Sequence, residues 1–449
     1  MGDVRGITRT LIESVDGLRY QDLTAEAREV ARHCILDFLG VALAGSREPL
    51  VNILVDVLVG PERALAAGLI GREERATAPT AALVNGAAGH ALDFDDTHTF
   101  MMGHPTVPVL PALLALSESE RVSGQALVTA LVAGIELECR LAAVLGPRHY
   151  DVGFHSTATL GTFGAAAACA HLLGLEAGQW VHAMGLAGTQ AAGLKAAFGT
   201  MTKPFHAGHA AAAGLLAALL ARRGFTSATD VVEAPQGFAS THAGDRPDIA
   251  VLERLAGRFL IRETLFKYHA ACYLTHAAIE AARSLREGHS IDARDIESIE
   301  VTVAPALLGV CNIAEPRTGL EGKFSLRATT ALALLGVDTA ELGTYTDARM
   351  ADASLVALRD RVRVATEPGL ASTRARITVL CGARRLEAEA DTGTPAPDLT
   401  LQRRRLRRKF DALVTPVLGA HQTTQLAQAA LTIDDSPAAA ALLALTRPQ

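Results

Sequence analysis

The segment HALDFDDTHTFMMGHP, residues 90–105, places three aspartates and three histidines within sixteen positions. Such side chains bind metals, and they also carry protons in acid–base catalysis. The segment has no HExxH pair and no calcium-binding loop, so its spacing does not indicate a familiar metal site. In a helix, Asp93 and Thr97 would share one face and Asp95 would point elsewhere. Leucine and phenylalanine alternate with the charged residues, which favours a half-buried polar strip over a solvated loop.

Three further segments carry polar side chains among apolar neighbours. They are RHYDVGFHSTATLG at 148–161, FGTMTKPFHAGHAA at 198–211 and FKYHAACYLTHAAIEA at 266–281. In the first, Tyr150 and His155 flank a Gly-Phe turn before a helix rich in alanine and glycine, where a lone histidine is more often structural. In the third, His269 and Cys272 lack the second pair of ligands that a zinc site needs. No nucleotide-binding glycine loop and no pyridoxal-type lysine context is present, so we expect no cofactor.

Lys203 stands directly before Pro204, and proline suits the first turn of a helix. The N-terminus of a helix attracts anions and opposes a second positive charge. Lys203 is therefore suited either to bind a carboxylate or, in its neutral form, to act as a base. A capping lysine in water is the alternative. The chain has only five lysines, so a lysine in a polar segment is unusual here.

The elements that must position these residues are helical over the first half of the chain. Residues 24–44 repeat apolar side chains at helical spacing, and Thr24 can cap that helix. Further helices are predicted at 80–92, 124–145, 157–173 and 204–222. The last two are crowded with alanine and glycine, which lets core helices approach closely.

The pattern changes after about residue 265. The segment IESIEVTV alternates, with Ile299, Val301 and Val303 on one side, and RARITVLCGARRLEAEA predicts two strands joined at Gly382 and Ala383. Helices near 270–288 and 322–335 complete a small α+β region, and the tail from 401 returns to helix.

We therefore predict a mainly α protein. A large all-helical domain comprises residues 1–265 and is completed by 400–449, and a smaller α+β lid domain comprises residues 266–399.

Composition excludes several classes of partner. A net charge of −6 gives no electrostatic case for nucleic acid or an anionic membrane, and the basic run RRRLRRKF at 403–410 is interpreted as a solvated helix face. The longest apolar run, 210–221, is too short to cross a bilayer. Six cysteines without CxxC spacing indicate buried thiols in a reducing compartment. We expect a cytoplasmic protein.

Together, these segments resemble the MmgE/PrpD family, which includes 2-methylcitrate dehydratase, cis-aconitate decarboxylase and iminodisuccinate epimerase. The resemblance rests on NGAAGHALDFDDTH at 85–98, GFHSTATLGTFGAAAA, TKPFHAGHAAAAG and KFSL at 323–326, in the family's order. It implies the two-domain fold given above, an active cleft between the domains, a homodimer and no metal. The segment at 90–105 would then form one wall of a metal-free acid–base pocket.

The resemblance also implies roles for individual residues. The catalytic candidates are Lys203, Tyr150, His155, His104 and Asp93, and the substrate-binding candidates are Thr97 and His276. Asp95 and Asp96 are expected to be structural. The implied substrate is a small di- or tricarboxylate that loses a proton or a group next to a carboxylate, leaving an enolate-like centre.

One position and several local segments bear on the reaction. Ala328 stands where the decarboxylase branch has a tyrosine. Two segments are closer to the iminodisuccinate epimerase branch: "RHYDVGFH", which corresponds to "GHY" in that branch, and "FGTMTKP". The proposed proton carriers of that branch match Tyr150 and Lys203. We therefore expect an epimerase-type isomerase. A dehydratase or decarboxylase, a biosynthetic enzyme with an unusual substrate, and a family member that only binds a ligand are the alternatives.

Overall fold

The computed structural model describes residues 6–59, 67–244 and 247–448 of the chain, and these residues are mainly helical. The helices are α1 (Ile7–Glu13), α2 (Ala25–Gly45), α3 (Pro49–Leu58), α4 (Ala78–His90), α5 (Thr106–Ser117), α6 (Gly124–Leu145), α7 (Arg148–Asp151), α8 (Ser156–Leu172), α9 (Ala177–Gln190), α10 (Thr202–Arg222), α11 (Phe238–His242), α12 (Ala250–Arg254), α13 (His276–His289), α14 (Gly319–Gly322), α15 (Leu326–Leu335), α16 (Asp347–Met350), α17 (Ala353–Arg359), α18 (Leu399–Leu431) and α19 (Ala441–Ala444). The strands are β1 (Ala67–Gly68), β2 (Arg75–Ala76), β3 (Thr97–His98), β4 (Thr264–Leu265), β5 (Ile296–Val303), β6 (Val362–Thr366), β7 (Arg374–Cys381) and β8 (Arg384–Asp391).

The chain divides into two compact units. The first comprises Met1–Phe266 and Pro397–Gln449, and the second comprises Lys267–Ala396. The first unit contains α1–α12, α18 and α19, and the second contains the four-stranded sheet and α13–α17. The mainly α class with a smaller α+β part is confirmed.

The core of the first unit is built from helices that approach one another closely. Helix α10 packs against α4 and α8. Gly86 on α4 faces Gly208 on α10, and a Cβ placed on Gly86 would lie 2.8 Å from the Gly208 Cα. No Cβ contact in a folded protein is that short, so glycine is required at this crossing. The close approach brings the start of α10, with Lys203, towards the end of α4, with His90.

The C-terminal helix belongs to the first unit. Helix α18 packs against α2, and the chain within it is non-helical at Gly419, where φ is 76°. Lys409 Nζ lies 2.6 Å from Asp37 Oδ1 on α2, and both side chains are buried. The same ammonium donates to the backbone carbonyl of Phe94, at 2.7 Å. The basic run at 403–410 therefore has one buried lysine among its arginines, and that lysine holds the segment after α4.

The sheet of the second unit has the strand order β6-β5-β7-β8. Strand β6 runs parallel to β5, and the β5–β7 and β7–β8 pairs are antiparallel. Ile299, Val301 and Val303 are buried on one face of β5, as the alternation predicts. Helix α13 packs on β7 and β8 and against α15. The turn between β7 and β8 is at Gly382 and Ala383, as predicted.

Among the helices of the described ranges, α10 is long and apolar enough to cross a membrane by length and composition, as is the bent pair formed by α2 and α3. In α10, 67% of the most apolar window is buried inside the protein, as in the core helices of soluble proteins.

Candidate active site

The polar segment after α4 is a turn and not a helix. Helix α4 ends at His90, and the two-residue strand β3 begins at Thr97. Between them Asp93 has a left-handed backbone, with φ at 50°, a conformation that aspartate adopts more readily than most residues. The helical projection that groups Asp93 with Thr97 is therefore wrong. The turn instead sends Asp93 to a partly exposed position and Asp95 into the interior.

Asp93 joins two elements that lie far apart in the sequence. Its Oδ1 lies 2.9 Å from Lys203 Nζ and 3.6 Å from His104 Nε2. The side chain of Lys203 is 16% exposed and that of Asp93 is 43% exposed, so solvent reaches this pair. Lys203 is the second residue of α10, as the position of Pro204 predicts. The pair places an amino group and a carboxylate together where a substrate can approach them from solvent.

Beneath this pair lies the group that we call the imidazole cluster, formed by His90, Asp95 and His104. His90 Nδ1 lies 3.0 Å from both carboxylate oxygens of Asp95, and His104 Nδ1 lies 3.2 Å from Asp95 Oδ2. The two rings are 4.5 Å apart in an edge-to-face arrangement. All three residues are buried. Two imidazoles therefore share one carboxylate.

The charge states of the cluster follow from these contacts. Burial opposes ionisation of Asp95, but the charges and hydrogen bonds of His104 and His90 hold its pKa well below the usual range. Burial lowers the pKa of His90 to about 4, and the nearby positive charges of Lys203 and His104 contribute to the decrease. At neutral pH, Asp95 is thus a carboxylate and His90 is a neutral imidazole.

The imidazole cluster and Asp93 also offer a possible set of metal ligands. One ligand atom from each of His90, Asp93, Asp95 and His104 lies within 4.8 Å of the others. The lysine ammonium already contacts the Asp93 carboxylate, however, and it would oppose a second cation there. His104 Nδ1 lies 2.7 Å from the backbone carbonyl oxygen of Asp96, so this nitrogen carries a hydrogen, and Nε2, beside the carboxylate that Lys203 already contacts, is the nitrogen of this ring that could bind a metal. This donor set suits proton transfer better than metal binding.

His155 caps the N-terminus of α8 and is buried on the other side of His90. The His155 and His90 rings stack with their centroids 5.9 Å apart. His155 Nδ1 lies 3.2 Å from His206 Nδ1, so one of these nitrogens donates to the other. Burial lowers the pKa of His155 far below the usual range, because a charged ring would be desolvated and would repel any proton bound by the neighbouring His90 and the charge of Lys203. His155 is therefore neutral, and His206 is its hydrogen-bond partner on α10.

Tyr150 lies on α7, near the same turn. Lys195 Nζ is 3.6 Å from the centroid of the tyrosine ring and donates to the Tyr150 carbonyl oxygen at 3.0 Å. Burial raises the pKa of Tyr150, and the charges of Asp151 and Asp93 raise it further. The phenol is protonated at neutral pH and can donate a proton.

Two other candidates make contacts of a different kind. The hydroxyl of Thr97 donates to the carbonyl oxygen of Gly103 at 3.1 Å, across the loop that ends at His104. In the second unit, His276 is buried at the start of α13 and donates from Nε2 to the carbonyl oxygen of Ala271 at 3.2 Å. The assignment of His276 to the same site as Lys203 stays a prediction. Ala328 is buried in the first turn of α15.

On the core side of the turn lies a second group, which we call the carboxyl cluster, formed by Asp37, Asp96 and Glu138. Thr106 donates to Asp96 from both its hydroxyl and its backbone N–H. Burial raises the pKa of Asp96 to about 7, and the charges of Asp37 and Asp95 contribute. Burial also raises the pKa of Glu138 well above the usual range, with a contribution from Asp96. Within the described residues, neither carboxyl oxygen of Glu138 has a hydrogen-bond partner.

Sequence reasoning missed three members of this site. His90 and Asp95 stand inside the first segment that we singled out, and His206 follows Lys203 by three residues. The signal for His90 was its place in the last turn of a predicted helix, three residues before Asp93. Nothing in the spacing indicated that two imidazoles would share Asp95, because His104 reaches it through a loop.

Comparison with known proteins gives a consistent result over both units. The profile of the MmgE/PrpD N-terminal domain matches residues 9–249, and that of the C-terminal domain matches residues 269–435. The chain is 32% identical over 293 residues to the cis-aconitate decarboxylase of Homo sapiens, which covers 63% of this chain and 60% of the relative. It is 31% identical over 298 residues to the cis-aconitate decarboxylase of Aspergillus terreus, with the same coverage of 63% and 60%. The chain thus matches about 60% of the length of these curated relatives.

Proposed function

This chain belongs to the MmgE/PrpD family, and on that premise we propose that it is a cofactor-free lyase that acts on a small di- or tricarboxylate. The observation that carries the proposal is the meeting of Lys203 Nζ and His104 Nε2 at the carboxylate of Asp93. A fixed cation and a titratable nitrogen are thereby held at one partly exposed position. Such a pair is what the formation of an enolate-like centre requires.

The chemistry proposed for these residues is as follows. The Lys203 ammonium binds a substrate carboxylate and stabilises the charge that develops on the adjacent carbon. In a decarboxylation, the carbon–carbon bond to the departing carboxylate breaks, its electron pair stays on the substrate carbon, and a protonated group of the site then protonates that carbon. In a dehydration, a base removes the proton next to the carboxylate, and the leaving hydroxide takes a proton from an acid. His104 Nε2 is our candidate for the proton carrier in either reaction.

Three observations support elimination or decarboxylation over other activities of the family. The curated relatives are cis-aconitate decarboxylases of a mammal and a fungus. Lys203 Nζ is held by the Asp93 carboxylate at 2.9 Å, a fixed position that suits an anchor for a substrate carboxylate. His90 and His155, behind this pair, are neutral. They therefore add no charge to the pocket beyond the charges that bind an anionic substrate.

Epimerisation is the second candidate, and it is favoured by a specific observation. Burial keeps the phenol of Tyr150 protonated at neutral pH, and the charge of Asp93 contributes to its raised pKa. Epimerisation needs two proton carriers on opposite faces of one carbon. The small, buried Ala328 at the position of the decarboxylase tyrosine also favours this candidate.

A single set of incubations in deuterated water tests the proposal. The protein is mixed separately with cis-aconitate, 2-methylcitrate and freshly prepared iminodisuccinate, and the products are followed by proton NMR. Loss of carbon dioxide or water supports the lyase, whereas deuterium incorporation without loss of a group supports the epimerase. In the second case Tyr150→Phe should block exchange on one face only. Absence of both turnover and deuterium incorporation with all three acids would contradict a catalytic role on these substrates.

The same incubations test the expectation that no metal takes part. Exhaustive dialysis against a chelator should leave the rate unchanged. Loss of the rate, restored by one divalent metal, would show that the ligand set around Asp95 holds an ion. The cytoplasmic location and the homodimer stay predictions.

A further inference from the structure

Asp95 is a buried acceptor that serves two imidazole rings at once. Its side chain is 3% exposed, and His90 and His104 each direct Nδ1 at it. An ionised carboxylate has no hydrogen to donate, so each nitrogen that faces it must carry one. The contacts therefore fix the hydrogen positions on both rings.

His104 has a second, independent constraint on the same nitrogen. Its Nδ1 lies 2.7 Å from the carbonyl oxygen of Asp96, which also can only accept. With Nδ1 always protonated, Nε2 is the nitrogen of His104 that gains or loses a proton. This Nε2 lies 3.6 Å from Asp93 Oδ1, in the partly exposed part of the pocket.

His90 likewise carries its hydrogen on Nδ1. Its Nδ1 is equidistant from the two oxygens of Asp95, and burial keeps the ring neutral. Its Nε2 therefore holds a lone pair, and within the described residues that atom is buried and without a hydrogen-bond partner. The ring contacts both the His104 ring, at 4.5 Å between centroids, and the His155 ring, at 5.9 Å.

We propose that Asp95 is a positioning residue that holds His90 in its Nδ1–H form and, together with the Asp96 carbonyl oxygen, holds His104 in the same form, so that Nε2 of His104 is left for acid–base chemistry beside Asp93. The catalytic half of this inference rests on the proposed function, and the tautomer half does not. A purely structural role for Asp95 would give the same two tautomers, so a change in kcat is what distinguishes a positioning role.

The substitution Asp95→Asn separates these roles because it preserves shape and changes the hydrogen-bonding pattern. The amide has one oxygen and one NH2 group where the carboxylate had two acceptors. His90 Nδ1 lies 3.0 Å from both positions, so in either orientation of the amide this nitrogen meets one oxygen and one NH2 group. The amide therefore no longer requires a hydrogen on Nδ1, and the Nε2–H form of His90, which the carboxylate excludes, becomes populated. The same change at the aspartate of a serine-protease triad acts through the wrong tautomer.

The experiment is nitrogen-15 NMR of histidine-labelled protein without substrate, since long-range couplings distinguish Nδ1–H from Nε2–H rings. The wild type should show only Nδ1–H for His90 and for His104, and Asp95→Asn should give His90 a measurable population of the Nε2–H form. The matched control is Asp96→Asn, the same change at the next residue, whose side chain hydrogen-bonds Thr106 and, among the described residues, no imidazole. It should leave both tautomers as they are.

Kinetics with a substrate found above provide the second readout. Asp95→Asn should lower kcat by about 10²–10⁴-fold with little change in KM, because the pocket that binds the substrate is retained. The wild-type measurement does not depend on whether a variant folds. An Nε2–H ring for either histidine in the wild type would overturn the tautomer assignment. A converted His90 with unchanged kcat would overturn the catalytic role of Asp95. If the tautomers behave as expected but no carboxylate is turned over, the proposed function fails and the tautomer half of the inference stands.

Discussion

The imidazole cluster and the carboxyl cluster meet at two consecutive residues, and they hold the same side chain in opposite states. Asp95 and Asp96 are both buried, at 2% and 1% exposure. Asp95 faces two imidazole Nδ1–H groups, and its pKa lies well below the usual range. Asp96 faces a threonine hydroxyl with other carboxyl groups nearby, and its pKa rises to about 7. Burial acts alike on both residues, so their partners decide the charge.

The two clusters therefore have different roles: the imidazole cluster serves catalysis, and the carboxyl cluster serves stability. The imidazole cluster leads outward to Asp93 and Lys203, where solvent and substrate have access. The carboxyl cluster leads inward to the ion pair with Lys409 and to Glu138, whose carboxyl group has no hydrogen-bond partner in the part of the chain that the structure describes. Changes on the imidazole side should therefore alter turnover, and changes on the carboxyl side should alter stability and its dependence on pH.

The largest effect is expected at Lys203. The substitution Lys203→Met keeps the length of the side chain and removes its charge, and it should lower kcat/KM by about 10²–10⁴-fold. The free energy of unfolding should change by less than about 1 kcal/mol, because the ion pair with Asp93 is partly exposed. Steady-state kinetics and urea unfolding measure the two quantities.

Lys203→Arg sharpens the same test, because arginine keeps the charge and cannot lose its proton. If Lys203 is an anchor, as its contact with Asp93 favours, Lys203→Arg should keep part of the activity and mainly raise KM. Abolished turnover with substrate binding retained would instead make Lys203 the base. Full activity in Lys203→Met would contradict the inference that changes on the imidazole side alter turnover.

The next effect is expected at Lys409, on the carboxyl side. Lys409→Met leaves the buried carboxylate of Asp37 without its ammonium partner, which should cost about 3–5 kcal/mol of unfolding free energy. Adding Asp37→Leu should recover much of this loss, because an apolar pair needs no compensating charge. The exposed Arg404→Met on the same helix is the control and should change stability by less than about 0.5 kcal/mol. A loss of under about 1 kcal/mol in Lys409→Met would mean that the pair does not hold α18 to α2.

A smaller, pH-dependent effect is expected at Asp96. Its folded pKa of about 7 lies above its ordinary value of 3.8, so between these pH values the folded protein keeps a proton that the unfolded chain has lost. The stabilising contribution is fully present at low pH and is lost as pH rises towards 7, at up to about 1.4 kcal/mol per pH unit. Asp96→Asn removes it, so the difference in unfolding free energy between wild type and variant should depend on pH from 4 to 7. A constant difference would show that Asp96 is ionised throughout.

The smallest effect is expected at Glu138. Because burial raises its pKa well above the usual range, the side chain is a neutral acid at pH 7. Glu138→Gln replaces it with a neutral group of the same size, and unfolding free energy at pH 7 should change by less than about 1 kcal/mol. Stabilisation by several kcal/mol would instead indicate that the glutamate is charged in the wild type.

Much of the scaffold could be predicted from the sequence, because it depends on local periodicity. The helix predicted at 124–145 is Gly124–Leu145, and Thr24 caps α2 by accepting from the Ala27 N–H at 3.1 Å. The strand IESIEVTV is Ile296–Val303, with its predicted face buried. These features follow from residues that are neighbours in the chain.

The site could be predicted only in part, because its charges depend on residues that are remote in the chain. The sequence singled out Asp93, His104 and Lys203, and the fold brings them to one carboxylate. It did not predict the left-handed turn at Asp93, which is set where α4 ends. The different states of Asp95 and Asp96 depend on side chains that reach them through loops and through packing of other helices, and no local spacing encodes those contacts.

The ion pair of Asp37 with Lys409 also has a consequence for the order of events during synthesis. Its two residues are 372 positions apart, and at about 5–20 residues per second a ribosome needs on the order of tens of seconds to pass from one to the other. For that time the nascent chain carries Asp37 and the Phe94 carbonyl without the ammonium that they share. The second unit is continuous in sequence and is fully synthesised before Lys409 is made. The first unit, whose synthesis begins first, is therefore the unit whose fold is completed last.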